Sequence, residues 1–186
     1  MRWRRAAGNS DAELIKRVLA GDRNRYAELV RRHQSVLYRH ARGMSIDHDT
    51  TLDLVQDAFV RAYVRLPECR EPSNFRAWIF RIARNMFLDH LKNVRTATVP
   101  LSALPHADRV AASAEPDYEL TLMLRAALAA LPIPMREAFL LKHQAGYTYD
   151  EVAALTGTTP SAVKMRVHRA REALRVFLVE RGVCAA

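Results

Sequence analysis

Apolar positions along the chain recur at helical intervals, with no sustained strand-like alternation. Leu14, Ile15, Val18 and Leu19 share one helix face and follow Ser10-Asp-Ala-Glu13, where the serine hydroxyl can take an amide of the first turn and the glutamate can reach back. Gly21 supplies the stop. Asp22 is placed to cap a second helix, which carries Tyr26, Leu29, Val30, Val36 and Leu37 and ends near Gly43. A third helix is predicted from about Thr50 to Leu66, closed by Pro67. A fourth runs from near Ser73 to Arg95, with Phe75, Trp78, Ile79, Ile82, Met86, His90 and Leu91 as its apolar stripe. The segment 96–116 then loses all period and holds Pro100, Pro105 and Pro116. At about 20 residues it is too long for a connection inside a compact domain and reads as an exposed, flexible linker. Four helices follow in the shorter second half, at Asp117–Ala130, Met135–Gln144, Thr148–Leu155 and Thr159-Pro160 to about Glu180. The prediction is an all-α chain of two small helical domains, 10–95 and 117–181, joined by the linker 96–116.

Composition sharpens this picture. Glycine is scarce, 6 in 186 residues, as suits long helices. The longest uninterrupted apolar run is Ala126–Leu131, far short of the about 20 residues a membrane span needs, so no membrane insertion is expected. The basic start Met1–Arg5 is followed by no apolar stretch of a secretory signal. Cys69 and Cys184 stand far apart, which suits neither a disulfide framework nor a zinc site, and they read as bystanders in a reduced, cytoplasmic protein. No phosphate-cradling glycine motif or His-Glu-x-x-His is present, and the seven histidines lack ligand spacing. Neither a metal nor a cofactor is expected. With 29 Lys and Arg against 20 Asp and Glu, the net charge of +9 favours a polyanionic partner, either nucleic acid or an anionic membrane surface.

Three segments carry candidate chemistry. Thr148–Leu155, a Gly157 turn and the helix from Pro160 have the size of a DNA-binding helix-turn-helix. Val163, Val167, Ala170, Leu174 and Phe177 form the core stripe of the last helix, and Lys164, His168, Arg171 and Arg175 form a second stripe roughly 100° away. A helix in the major groove needs cations on its flanks and polar side chains at base edges. The plainer reading is a solvated basic face on an ordinary helical hairpin. In the third helix, four acids and no Lys or Arg lie between Gly43 and Val60, with Asp49, Asp53 and Asp57 on one face. Like charges at that spacing are unfavourable, so the stripe suggests a basic protein partner, with a solvated face as the alternative. In the fourth helix, Arg76, Arg81, Arg84 and Lys92 alternate with Trp78, Phe80 and Phe87, a pattern used to bind single-stranded nucleic acid; core packing is the plainer account of the aromatics.

Together these segments resemble the extracytoplasmic-function sigma factors, the smallest class of sigma-70 subunits of bacterial RNA polymerase. Asp53-Leu-Val-Gln56-Asp57-Ala-Phe59 looks like region 2.2 of that family. Phe75-Arg-Ala-Trp78 through Arg84-Asn85 to Asp89 looks like regions 2.3–2.4. Leu131-Pro132, Arg136, Gly146-Tyr-Thr-Tyr149-Asp-Glu151 and Val163 through Arg175 look like region 4. The resemblance implies a catalytically silent specificity subunit of core RNA polymerase. Asp53, Gln56 and Asp57 would dock on the clamp helices of the β′ subunit, and the β subunit would also be contacted. Promoter DNA would be read at two elements. Asn85 and Asp89 would hold a flipped base of the melted −10 element, with the loop Pro67–Asn74 shaping the pocket and Arg81 and Arg84 on phosphates. In the −35 duplex, Lys164, Met165, His168 and Arg169 would face base edges, with Ser161, Arg171 and Arg136 at phosphates. Met165 departs from the usual small or polar residue and can offer only apolar contact, for instance to a thymine methyl. An anti-sigma protein is the expected inhibitor. Two other classes remain in play: a plain DNA-binding regulator with a sensory bundle, which leaves the acidic stripe and the Arg-Ile-Ala-Arg-Asn segment unexplained, and a helical nucleic-acid hydrolase, which would need clustered carboxylates or histidine ligands.

Overall fold

A computed structural model describes residues 10–96 and 117–183. The described residues form eight α-helices and no strand: α1 (Asp11–Leu19), α2 (Tyr26–Gly43), α3 (His48–Val64), α4 (Phe75–Thr96), α5 (Asp117–Ala130), α6 (Ile133–His143), α7 (Tyr149–Thr156) and α8 (Pro160–Val179). Short 3-10 turns at Arg23–Arg25, Leu66–Glu68 and Pro72–Asn74 join the first four helices. The expected linker lies outside the described residues except for residue 96.

Local chemistry sets the boundaries. Ser10 Oγ accepts from the Glu13 amide at 3.2 Å, and Gly21 leaves α1 at φ +108°, a conformation other residues rarely take. Asp22 does not cap α2. Its carboxylate takes Arg25 Nε at 3.1 Å while a 3-10 turn intervenes. α3 starts at His48, two residues before Thr50, because Asp47 Oδ1 accepts the Thr50 amide at 2.9 Å. α6 starts at Ile133, so Pro134 lies inside its first turn instead of marking a break; a first-turn proline forfeits only an amide that has no helical partner. α7 opens with a reciprocal cap: Thr148 Oγ1 accepts from the Glu151 amide at 3.2 Å and Glu151 Oε2 from the Thr148 amide at 2.7 Å. Gly157 ends α7 at φ +67°, and Thr159 Oγ1 caps α8 at the Ala162 amide.

In the first half, α1 buries Leu14, Ile15 and Val18, α2 Leu29, Leu37 and Ala41, and α3 Val55, Ala58, Phe59 and Ala62. The second half packs α8 against α5, α6 and α7 through Val163, Val167, Ala170 and Leu174. The two halves are not independent bundles in this arrangement. α6 lies on α2 and α7 on α4. Gly43 meets Leu140 so closely that an added Cβ would come within 2.7 Å of Leu140 Cδ2. The buried face of α4 is therefore wider than the stripe predicted for it and turned to one side. Phe80, Ala83 and Phe87 are buried, whereas Trp78, Ile82, His90 and Leu91 are half-exposed. The physical reason is the second neighbour: Phe80 stacks edge-on against Tyr147, with ring centroids 5.3 Å apart.

Candidate partner face and nucleic-acid interface

The acidic face of α3 is in the open. Asp53, Gln56 and Asp57 are all exposed. Beside them, α2 and α3 form an apolar groove of about 970 Å³ whose walls include Tyr26, Val30, Leu52, Val55, Phe59 and Tyr63, with Gln56 on its rim. Val60 and Val64 of the same helix are 56% and 73% exposed. The groove floor is tied down by the Tyr26 hydroxyl, which donates to the Phe59 carbonyl at 2.6 Å, and by the edge-on contact of Tyr26 with Tyr63. Burial raises the Tyr26 phenol above its ordinary pKa, so it remains a donor. The sequence reading found the carboxylates and missed the groove. The available signal was that Leu52, Val60, Tyr63 and Val64 do not belong to the Val55, Ala58, Phe59, Ala62 stripe, so α3 has more apolar surface than one core contact uses.

A second surface follows one side of α4. Trp78, Arg81, Asn85 and Asp89 succeed one another at spacings of three and four, which places them along one face. Arg81, Asn85 and Asp89 are exposed, and Asp89 is paired at the surface with Lys92 Nζ at 3.2 Å. The loop before α4 closes a pocket of about 290 Å³ with Glu68, Arg70, Asn74, Trp78 and Arg81 on its walls. Asn85 and Asp89 lie one and two turns beyond this pocket and do not line it.

Arg84 does not join Arg81. It projects from another side of α4, where its Nε and Nη2 meet Glu137 Oε1 and Oε2 of α6 at 2.6 and 3.0 Å. Its side chain is 18% exposed and that of Glu137 5%. Arg76, two turns earlier, donates to the Ala145 carbonyl and lies over the Tyr147 ring at 4.5 Å. His40 of α2 sits fully buried next to this seam, edge-on to Phe80, and its Nδ1 has no partner among the described residues. Burial, and secondarily the Arg84 cation, push its pKa down to about 4.

The third surface is α8. Ser161, Lys164, Met165, His168, Arg169 and Arg171 are exposed, and the first four of them line a shallow hollow of about 260 Å³. Its cations Lys164, Arg169 and Arg171 have no ion pair among the described residues, in contrast to Arg175, which pairs with Glu172 at 3.7 Å. Arg136, expected with this group at phosphates, is elsewhere. It is buried at 6% exposure and donates to the carbonyls of Ala129 and Leu131 at 2.5 and 3.0 Å and, across the seam, to the Met44 carbonyl and Ser45 Oγ at 2.8 and 3.0 Å. An α5–α6 corner with free carbonyls binds the guanidinium internally, so in this arrangement it cannot serve as a surface phosphate contact. Among the described residues no cluster of His, Cys, Asp and Glu could hold a metal ion, and no helix is long and apolar enough to cross a membrane.

Comparison with known proteins agrees with this layout. Residues 29–96 match the family Sigma-70 region 2, and residues 121–174 match Sigma-70, region 4. The ECF RNA polymerase sigma factor SigM of Mycobacterium tuberculosis is 34% identical over 171 residues, which cover 91% of this chain and 85% of that protein. SigE of Mycolicibacterium smegmatis is 35% identical over 161 residues, covering 82% of this chain and 61% of SigE, so the match spans about three fifths of that relative. Among solved structures, CnrH in complex with the cytosolic domain of CnrY superposes with a TM-score of 0.71 at 28% identity, covering 92% of this chain and 99% of CnrH. The sigma factor RpoE from Bartonella quintana, in complex with the anti-sigma factor NepR, gives 0.70 at 28% identity, covering 82% and 96% of the two chains. With region 2 and region 4 both matched along it and SigM 34% identical over 85% of its own length, the chain belongs to the extracytoplasmic-function sigma factors of the sigma-70 family.

Proposed function

We propose that the chain directs promoter-specific transcription initiation as a subunit of RNA polymerase, with residues 10–95 as the polymerase-binding and −10-reading domain and 117–181 as the −35-reading domain. The observation that carries this reading is the presence of three separate exposed surfaces on one chain. The Asp53, Gln56 and Asp57 face with its apolar groove fits a basic, partly apolar helical partner, as the β′ clamp helices would be. The α4 face fits a strand taken out of the duplex: Asn85 has both amide donors and an acceptor, Asp89 can accept from an exocyclic amine, and Arg81 can hold a phosphate. Lys164, Met165, His168 and Arg169 on α8 fit the major groove, with Ser161 and Arg171 at phosphates. A DNA-binding regulator would use only the third surface. The solved relatives in complex with CnrY and NepR support an anti-sigma partner here too.

The test is run-off transcription with core polymerase, with each step also assayed by binding. Alanine at Asp53, Gln56 and Asp57 together weakens core binding and leaves the isolated protein folded. Arg169→Ala weakens binding to −35 duplex by the ~1–3 kcal/mol of one good base contact and leaves −10 preference alone. Asn85→Ala leaves duplex binding alone and impairs opening, and a pre-melted −10 bubble restores the opening but not the base preference. A folded triple variant with wild-type core affinity, or an Asn85→Ala protein as weak on −35 duplex as Arg169→Ala, refutes the assignment.

A further inference from the structure

The pocket before α4 is shaped by a segment with little structure of its own. The turns Leu66–Glu68 and Pro72–Asn74 have no side-chain cap, and three-residue 3-10 turns are only weakly held by their own hydrogen bonds. The segment therefore takes its position from what it packs on. Beyond the helices it adjoins, that is α1, which lies against both turns. A helix of nine residues is too short to hold its shape alone. α1 is in turn fixed by its buried Leu14, Ile15 and Val18 and by one carboxylate.

That carboxylate is Asp11, in the first turn of α1. Its Oδ1 accepts from Arg32 Nη1 at 3.0 Å, and its Oδ2 lies 2.8 Å from His33 Nε2. Both partners are on α2, and Arg32 is itself braced by Glu28, whose Oε1 takes Nε at 3.1 Å. Neighbouring residues meeting both oxygens fix the rotation of α1 on α2 as well as its distance. None of the three surfaces described above uses these groups. The contacts lead on to the pocket. The His33 ring stands edge-on to Phe75 with centroids 5.4 Å apart, and Phe75, fully buried, meets Trp78 at 5.8 Å. Phe75 follows Asn74, and both Asn74 and Trp78 line the pocket of about 290 Å³. A carboxylate on α1 is thus joined to the pocket wall through the buried rings of His33 and Phe75.

We propose that Asp11 is a positioning residue for −10 recognition: through His33 and Phe75 it sets the pose of Trp78, and through α1 the place of the loop 66–74, so that the pocket is formed before a strand arrives. The proposal rests on the −10 role assigned to this side of α4 above. A preformed pocket matters to a flipped base because unstacking is itself costly, and ordering the pocket at the same moment would add to that cost. Asp11 touches no nucleotide. Its loss blurs the choice between bases and leaves the surfaces on α3 and α8 as they are.

The test uses the full-length chain, free and in holoenzyme, with Trp3→Phe so that Trp78 is the factor's only tryptophan. Acrylamide quenching of the free chain reads the pose of Trp78 without DNA. Fluorescence anisotropy reads holoenzyme binding to a single-stranded −10 oligonucleotide from a promoter the holoenzyme transcribes, and to the same strand with one base changed. Asp11→Asn keeps the side-chain size and removes the charge. His33→Gln keeps a donor near the place of Nε2 and removes the ring. Each is expected to leave the native circular dichroism unchanged, to make Trp78 more readily quenched, and to reduce the preference for the unchanged strand about fivefold, a middle value for coupling through packed side chains. Combined, the two cost no more than the larger single effect, because both break the same path. Core affinity and −35 duplex affinity stay at the parent values. A merely structural role would lower the unfolding midpoint and leave native-state quenching and base preference where they were. With a parent holoenzyme that prefers the unchanged strand, the proposal is overturned if either quenching or preference stays at the parent value, or if core and −35 affinities fall in the same proportion as −10 affinity. If Asp11→Asn does not fold, His33→Gln decides by the same criteria. If the parent holoenzyme shows no preference, the −10 reading is what fails, and quenching alone then decides whether Asp11 sets Trp78.

Discussion

His40 gives the fold a pH dependence that can be worked out in advance. Its imidazole is 1% exposed, lies edge-on to Phe80 with centroids 5.6 Å apart, has Phe87 at 6.3 Å, and faces the Arg84 cation. Burial first, and the cation second, depress its pKa from 6.5 to about 4. In the unfolded chain the group titrates near 6.5. Between those values the unfolded state binds one proton more than the folded state, so stability rises with pH through the window and is lost as pH falls from about 6.5 towards 4. At about 1.4 kcal/mol per unit, acidification from 6.5 to 5.5 removes about 1 kcal/mol and the whole window about 3 kcal/mol, a large share of the ~5–15 kcal/mol that holds a typical domain. The assay is urea unfolding by circular dichroism at constant ionic strength from pH 7.5 to 4.5, for the parent chain and His40→Leu. The leucine variant cannot titrate, so the difference between the two stabilities grows as pH falls. His143 is also depressed, chiefly by burial, and contributes with the same sign, but equally in both proteins, so it cancels in that difference. A constant difference between pH 7 and 5 would refute the reasoning, because it would mean that His40 takes up its proton within the folded state.

Two further outcomes follow from single contacts. Thr148→Ala removes the hydroxyl that caps α7 at the Glu151 amide and lowers stability by about 1 kcal/mol, read as a lower urea midpoint with the α8 surface intact. Arg136→Met leaves the carbonyls of Met44, Ala129 and Leu131 without their donor and lowers stability by at least about 2 kcal/mol, read the same way, with −35 duplex affinity unchanged; lost affinity at unchanged stability would return Arg136 to the phosphate contacts.

What was legible in the sequence was whatever depends on one helix at a time. The core stripe of α8 follows from spacing alone, and Val163, Val167, Ala170 and Leu174 are buried as the period requires. The separate placement of the cations on that helix follows from the same wheel, and Lys164, His168 and Arg171 are exposed. What was not legible depends on a neighbour distant in sequence. Nothing local to α4 says that Phe80 and Phe87 outrank Trp78 and Ile82, because the decision is made by Tyr147 and His40. Nothing local to Arg84 or Arg136 distinguishes a phosphate ligand from an internal donor, since the guanidinium chemistry is the same and only the acceptor differs. Glu137 carried no signal as one acid beside Arg136 in a turn that is otherwise apolar; its burial at 4% exposure is what marks it. Boundary errors at Asp47 and Pro134 have a smaller cause, a choice between adjacent residues that could each start a turn.

The closed arrangement redistributes the charge of the chain in a way composition cannot show. Of the basic residues on α4, Arg84 is neutralised by Glu137, and Arg76 is turned onto a carbonyl and an aromatic face, which leaves Arg81 exposed on the side that carries Asn85. α8 keeps Lys164, Arg169 and Arg171 without ion pairs among the described residues. As between α4 and α8, the unpaired positive charge therefore lies mostly on α8, and it acts over a Debye length of only about 8 Å at physiological salt. A non-specific encounter of the free chain with duplex DNA should then draw on α8 before Arg84, which stays paired with Glu137. Arg171→Ala, which removes one cation from that exposed set, weakens all duplex sequences about equally and lowers the salt slope by roughly one, whereas Arg84→Ala leaves duplex binding by the free chain unchanged. Filter binding across a salt series separates the two, and an equal fall in slope for both variants would show that Arg84 meets DNA without first leaving Glu137.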